Sequence, residues 1–254
     1  MLKPVVNDFR AKDELGTPAL LLDGSNPSSY SLKSWVQPLP TFLLKSKESR
    51  VATVIIKVPV GAEPGGHYGV VRYSGTPPNI EDSGVSLAAS VGTLILTRVS
   101  GDVKENVQVA DYFTMQRGKQ SSWFESQPIT FVERLKNTGN VHVKPQGTIE
   151  VKDMFGRTAA SLKVNDKGLR SVLPDSISRF EQQLTKPWMF GQYKADLNLV
   201  YGTTGGVVQS YLTFWVIPWR LILIGILIAA IMFFILRYAV QRYNRMVISR
   251  HREQ

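Results

Sequence analysis

YKADLNLVYGTTGGVVQSYLTFWVIPWRLILIGILIAAIMFFIL, residues 193–236, carries two periods with a change of solvent between them. In its first part Tyr193, Ala195, Leu197, Leu199 and Tyr201 alternate with Lys194, Asp196 and Asn198, the pattern of a strand with one buried face. Gly202 to Gly206 supply a turn, and Val207 to Val216 is predicted to pair back on that strand. From Leu221 to Leu236 the alternation stops, and sixteen residues pass without a charge.

Those sixteen residues span about 24 Å as a helix, short of a hydrocarbon core about 30 Å thick, so the flanks must contribute. Trp215, Trp219 and Tyr238 suit a membrane–water interface, and Pro218 suits a first helical turn. A helix buried in a soluble core is the competing reading. Magnitudes decide against it: twelve Leu, Ile or Phe side chains favour insertion by roughly −4 to −7 kcal/mol, while Arg220 and Arg237 sit at the ends, where long side chains reach water. The last eighteen residues hold Arg237, Arg242, Arg245, Arg250 and Arg252, whereas Ala195 to Trp219 contains no Lys or Arg. That asymmetry predicts a plasma-membrane single pass with residues 241–254 as a basic cytoplasmic tail and the N-terminal region outside. The arginines also suit anionic headgroups.

Export of a large N-terminal region calls for a signal peptide, yet the longest early apolar run is Ala19 to Leu22. The expectation is that the sequence starts downstream of its leader; a tail-anchored cytosolic protein is the alternative. The 254 residues include 14 prolines and 20 glycines at 43% hydrophobic content, which predicts turn-rich globular structure. With no cysteine, disulfides and thiolate sites are excluded, and three histidines make a histidine-built metal site a poor reading; no cofactor is expected. Asn26 precedes Pro27, so no Asn-x-Ser/Thr acceptor occurs, which favours a bacterial surface. Of the +10 net charge, part lies in the arginine tail; the remainder reads as a solvated surface, and no nucleic-acid partner is expected.

Upstream, Arg50 to Val60 reads as a strand, as do the residues after the Pro64-Gly65-Gly66 turn and Val91 to Val99, with Thr41 to Leu44 weaker. The pattern breaks near residue 104. Beyond it Ile129 to Leu135, Val141 to Val143 and Gly147 to Lys152 are predicted strands, separated by turns at Asn137-Thr138-Gly139-Asn140 and Asp153 to Gly156. Short strands without interleaved helices predict an all-β chain: two immunoglobulin-like antiparallel sandwiches, 1–103 (N-terminally incomplete) and 104–214, then a transmembrane helix at 215–240. Gly66 before Tyr68 and Gly191 before Tyr193 form a weak internal echo. Tyrosines opening strands in such sandwiches often bond nearby backbone, which is preferred here to ligand contact.

No nucleophile elbow, Walker loop or zinc-protease helix is present. Glu133, Glu150 and Asp153 are expected to face solvent, His67 and His142 to be surface or satisfied groups, and Trp35, Trp123 and Trp188 to pack in cores rather than stack on sugars. Leu173-Pro174-Asp175-Ser176 only faintly resembles a sorting signal and is set aside, because no hydrophobic segment follows it directly and the C-terminal helix already supplies an anchor.

YSLKSWVQPLPTFLLKSKESRVATVIIKVPVGAEPGGHYGVV and FVERLKNTGNVHVKPQGTIEVKDMFGR, with Val58-Pro59, Pro64 to Gly69, Asn137 to Asn140 and Pro145 to Gly147, resemble the bacterial WxL-interacting surface proteins over residues 1–215. The resemblance implies a peptidoglycan-binding sandwich, a second, host-binding sandwich, a membrane helix and a basic tail. The expected function is therefore non-catalytic binding of cell-wall polymer or another surface protein at the bilayer. A membrane-anchored hydrolase with a carboxylate pair and a passive structural spacer are the alternatives.

Overall fold

The computed structural model describes residues 1–22, 28–45, 47–75 and 90–251, with side chains as far as Arg242. The first unit contains β1 (Leu2–Ala11), β2 (Pro18–Leu21), a 3-10 turn at Lys33–Trp35, β3 (Gly65–Gly75) and β4 (Ser90–Val99). The second contains β5 (Val107–Gln116), β6 (Lys119–Gln120), β7 (Trp123–Phe124), β8 (Ile129–Asn137), β9 (Gln146–Asp153) and β10 (Thr158–Val164). β11 (Ile177–Leu184), β12 (Gly191–Tyr201) and β13 (Gly206–Val216) complete it, and α1 (Trp219–His251) follows. The chain is thus mostly sheet, with one apolar helix at its C-terminal end.

In the first unit the strands run β2-β1-β3-β4, antiparallel throughout. Alternation along β3 gives its two faces different neighbours. Tyr68 and Val70 join Phe9 in a small core that also receives Tyr30, Leu96 and Leu173, the last from the second unit. His67 stacks against Trp35 at 4.2 Å, and Leu32 fills the space above Gly69, where any β-carbon would collide with it.

The second unit closes two sheets over one core, β10-β9-β12-β13-β7 facing β11-β8-β5-β6. Tyr193, Ala195, Leu197 and Leu199 all point inward from β12, against Ile149 and Val151 of β9 and Phe214 and Val216 of β13. Ile129, Phe131 and Leu135 answer from β8. Each such side chain contributes roughly 1.5–3 kcal/mol when fully buried, so this core carries the unit. β12 and β13 pair along eleven residues across the Gly202–Gly206 turn, and β13 passes to α1 through Ile217 and Pro218 alone.

Several expectations need correction. Arg50 to Val60 is not a sheet strand: among the described residues its one bridge is Val36 to Ile56, with Gln37 N donating to Ile55 O and Lys57 N to Trp35 O. The opposite segment continues into Pro38 and Pro40, which have no N–H to extend a ladder, and Val51, Ile55, Val58 and Val60 stay exposed. Thr41 to Leu44 likewise reduces to the bridge of Phe42 with Leu2. Val141 to Val143 is a buried connection bridged to Val172. Trp35 is buried, but Trp123, on the edge strand β7, and Trp188, in a loop at positive φ, are exposed. Glu133 does not face solvent; it sits on the inner side of β8, between Phe131 and Leu135, and is fully buried.

The segment read as a tail begins as helix, since α1 runs to His251. The side chains of Arg245 and Arg250, together with Asn26, Pro27 and Arg252, lie outside the described residues. The apolar part, Trp219–Arg242, is long and apolar enough to cross a membrane, and none of it is buried against the sheets.

Candidate functional site: the joint between the two units

Two motifs singled out in the sequence, Pro64 to Tyr68 and Asn137 to Asn140, meet in space. Asn137 is buried with its polar atoms paired: Nδ2 donates to Val141 O at 2.8 Å and Val172 O at 2.9 Å, and Oδ1 accepts from Gly139 N at 2.9 Å. These bonds hold the turn after β8 in one shape. Gly139 can then lie directly against the 104–106 backbone, where a β-carbon would strike Lys104 O. Thr138 N donates to Asn106 O at 2.9 Å.

Asn140 links both units. Its carbonyl accepts from Gly66 N at 2.8 Å, its Nδ2 donates to Pro64 O at 3.3 Å and Asp102 O at 3.0 Å, and its Oδ1 accepts from Lys104 N at 2.8 Å. Gly65, at φ +128, adopts a backbone conformation open to glycine, and its missing side chain leaves room for Asn140 O. Tyr68 Oη accepts from His142 N at 2.7 Å, so the tyrosine of the first sheet closes a backbone group of the second unit. Burial pushes the Tyr68 phenol up, and burial pushes the His142 imidazole down, keeping both neutral near pH 7.

Around this centre charged pairs add to the joint. Arg98 of β4 pairs with Glu105, which also accepts from Thr203 N at 2.8 Å on the β12–β13 turn. Glu14, between β1 and β2, takes a two-pronged contact from Arg134 of β8, which holds its carboxyl below the usual carboxylate range, and Arg179 N donates to Glu14 O at 2.6 Å. Arg170 lies over the Phe180 ring at 4.2 Å and donates to Leu15 O at 2.6 Å.

Two adjoining clefts open along the joint. One, of about 270 Å³, lies between Phe9, Leu94, Leu96 and Leu173, with Lys144 and Arg170 at its edge. The other, of about 540 Å³, shares Phe9, Arg10 and Leu173 and adds Tyr30, Pro174 and Asp175, where Tyr30 Oη donates to Asp175 Oδ2 at 3.0 Å. An apolar floor with a few convergent polar groups is what a small ligand or a flexible chain needs. Nothing in the sequence pointed to these clefts, because their walls come from segments more than 150 residues apart.

The remaining singled-out residues lie elsewhere. Gly191, at φ +97, is packed by Met154, and Tyr193 Oη accepts from Phe190 N at 3.1 Å while its ring stacks on Phe214. Trp215 belongs to β13, stacked on Trp123 at 5.4 Å. Trp219, Arg220, Leu221, Leu236, Arg237 and Tyr238 lie along α1, Arg220 pairing with Glu125 at 3.2 Å. Glu133, pushed up to about 9 by burial, is a neutral acid in the core and lines neither cleft. Among the described residues no group of three or more His, Asp or Glu side chains is placed to hold a metal. No family model matches the chain, and no curated protein or solved structure does so either.

Proposed function

We propose that this chain is a non-catalytic bacterial cell-surface binding protein, in which two immunoglobulin-like units engage cell-wall polymer while α1 holds them to the plasma membrane. The observation that carries the reading is the direct passage of β13 into a helix with no burial against the sheets, for which hydrocarbon is the matching solvent. The arginine asymmetry favours the sheets outside and the C-terminal end in the cytoplasm. The resemblance to WxL-interacting proteins supports the same layout.

The cleft at Phe9, Tyr30 and Asp175 is the proposed ligand site: its rings suit the apolar faces of sugars, and Arg10 with Asp175 suits their polar substituents. Another surface protein is the alternative ligand. β4 favours that mode, since among the described residues it pairs on one side alone and exposes Val91 and Leu94.

The test uses the full chain in mild detergent, incubated with purified peptidoglycan sacculi. Retention that is lost in Tyr30→Ala with Asp175→Ala supports the reading. Binding of neither sacculi nor surface-protein extract leaves a spacer.

A further inference from the structure

The end of the second unit from which α1 departs carries exposed aromatic side chains on two connections and on the short strand β7. Strand register puts them together: Val216 lies opposite Gly191, and Tyr193 lies opposite Asp153. The loop before β12 and the turn after β9 therefore project past the sheet on the side where β13 leaves it. Trp188 is 87% exposed and Phe190 63% in the first, and Phe155 is 74% exposed in the second, with Met154 beside it against Gly191. On the short strand β7 Trp123 is 60% exposed, its ring parallel to Trp215.

The start of α1 is fixed to that same end. Trp215 N donates to Ser122 O at 2.7 Å, Ile217 N to Phe124 O at 2.8 Å, and Arg220 pairs with Glu125 at 3.2 Å. Trp188 is three residues beyond Gly191, a reach of up to about 10 Å at 3.3 Å per extended residue, which is comparable to the advance of the chain from Val216 to Trp219. The rim is thus within reach of the level of the first turn of α1 along the chain's exit direction.

Soluble surfaces rarely group such side chains, whereas tryptophan and phenylalanine beside cationic groups fit the headgroup layer of a bilayer. The cations are present: the Arg157 guanidinium lies over Phe155 at 5.1 Å, and that of Arg220 over Trp219 at 5.4 Å. We infer that Phe155, Trp188, Phe190 and Trp123 form a second membrane contact, a rim that seats the end of the sandwich in the lipid interface around α1. The occupant is lipid because the rim is continuous with the helix, and the inference rests on α1 spanning the bilayer. It makes the unit stand upright on its support rather than hang from a flexible tether.

The absence of cysteine allows a direct test on the full chain. Phe155→Cys, Trp188→Cys and, at the opposite tip, Thr204→Cys are each labelled with an environment-sensitive dye and reconstituted in vesicles of phosphatidylcholine and phosphatidylglycerol. All three positions are exposed, so the fold is not at stake. The expected result is a blue shift at 155 and 188, with loss of emission to phosphatidylcholine spin-labelled near the top of its acyl chains, and neither change at 204. Dyes at 155 and 188 that behave like the one at 204, in chains that resist alkaline extraction, overturn the rim and leave the anchor standing. Shielding at 188 that needs an added protein and not lipid overturns it too. Chains washed off by alkali remove the anchor reading and the rim together.

Discussion

At the level of single residues, buried polar atoms do most to define the joint. Asn137→Ala strands Val141 O and Gly139 N, leaves Val172 O with Val143 N as its remaining donor, and is expected to cost about 2–4 kcal/mol, read as a lowered denaturant midpoint. Tyr193→Phe leaves Phe190 N without its acceptor and should cost about 1 kcal/mol; an unchanged midpoint would show that hydroxyl to be dispensable. Glu133 predicts a pH dependence. Its folded pKa, about 9, exceeds its ordinary value of 4.5, so the folded state holds a proton that the unfolded chain releases in between. Stability from this group is complete below about 4.5 and declines as pH rises toward 9. Glu133→Gln should therefore gain over the native chain with each step up in pH across that window, in paired thermal melts. The turn asparagines were legible in the sequence because their chemistry is local. Glu133 was misread although strand alternation already puts it on the face of Phe131 and Leu135, because a carboxylate is almost never buried without a partner and its type outweighed its position.

For whole elements, legibility followed the sharpness of the period. β12, β13 and α1 were readable because one solvent governs each face along their length. β1 and β11 were missed: Pro4 and Asn7 break the first, and Glu181-Gln182-Gln183 dilutes the second, so tertiary pairing decides what their composition leaves open. Arg50 to Val60 failed the other way, rich in β-branched residues but opposite a segment whose prolines cannot bond. For α1 the magnitudes give a test. Arginine at mid-bilayer costs about 2.5–3.5 kcal/mol, so Ile228→Arg alone should weaken insertion, and Ile224→Arg with Ile228→Arg should offset the roughly −4 to −7 kcal/mol favouring it. The fraction of chain resistant to alkaline extraction is the readout, and no loss in the double variant would rule out a lipid-spanning helix.

Over the whole molecule the firmness of the joint was not visible in the sequence. Leu173 sits in the core of the first sheet, Tyr68 closes His142 N, and Arg134 holds Glu14 across more than a hundred residues. A single cooperative melting transition is expected in calorimetry; Asn140→Ala with Arg134→Ala should split it in two. The Glu14 carboxyl, held low by Arg134, keeps its contribution above the ordinary carboxylate range and loses it as acid reaches the lowered value, so the same splitting should appear in strong acid.

Between the end of β13 and the first helical turn there are only two residues, Ile217 and Pro218, and Ile217 N is still bonded to Phe124 O. Under the proposed anchoring, a pull on the two units is therefore delivered lengthwise to β13, whose eleven paired residues must then yield in shear, all at once, before any slack can enter the mooring.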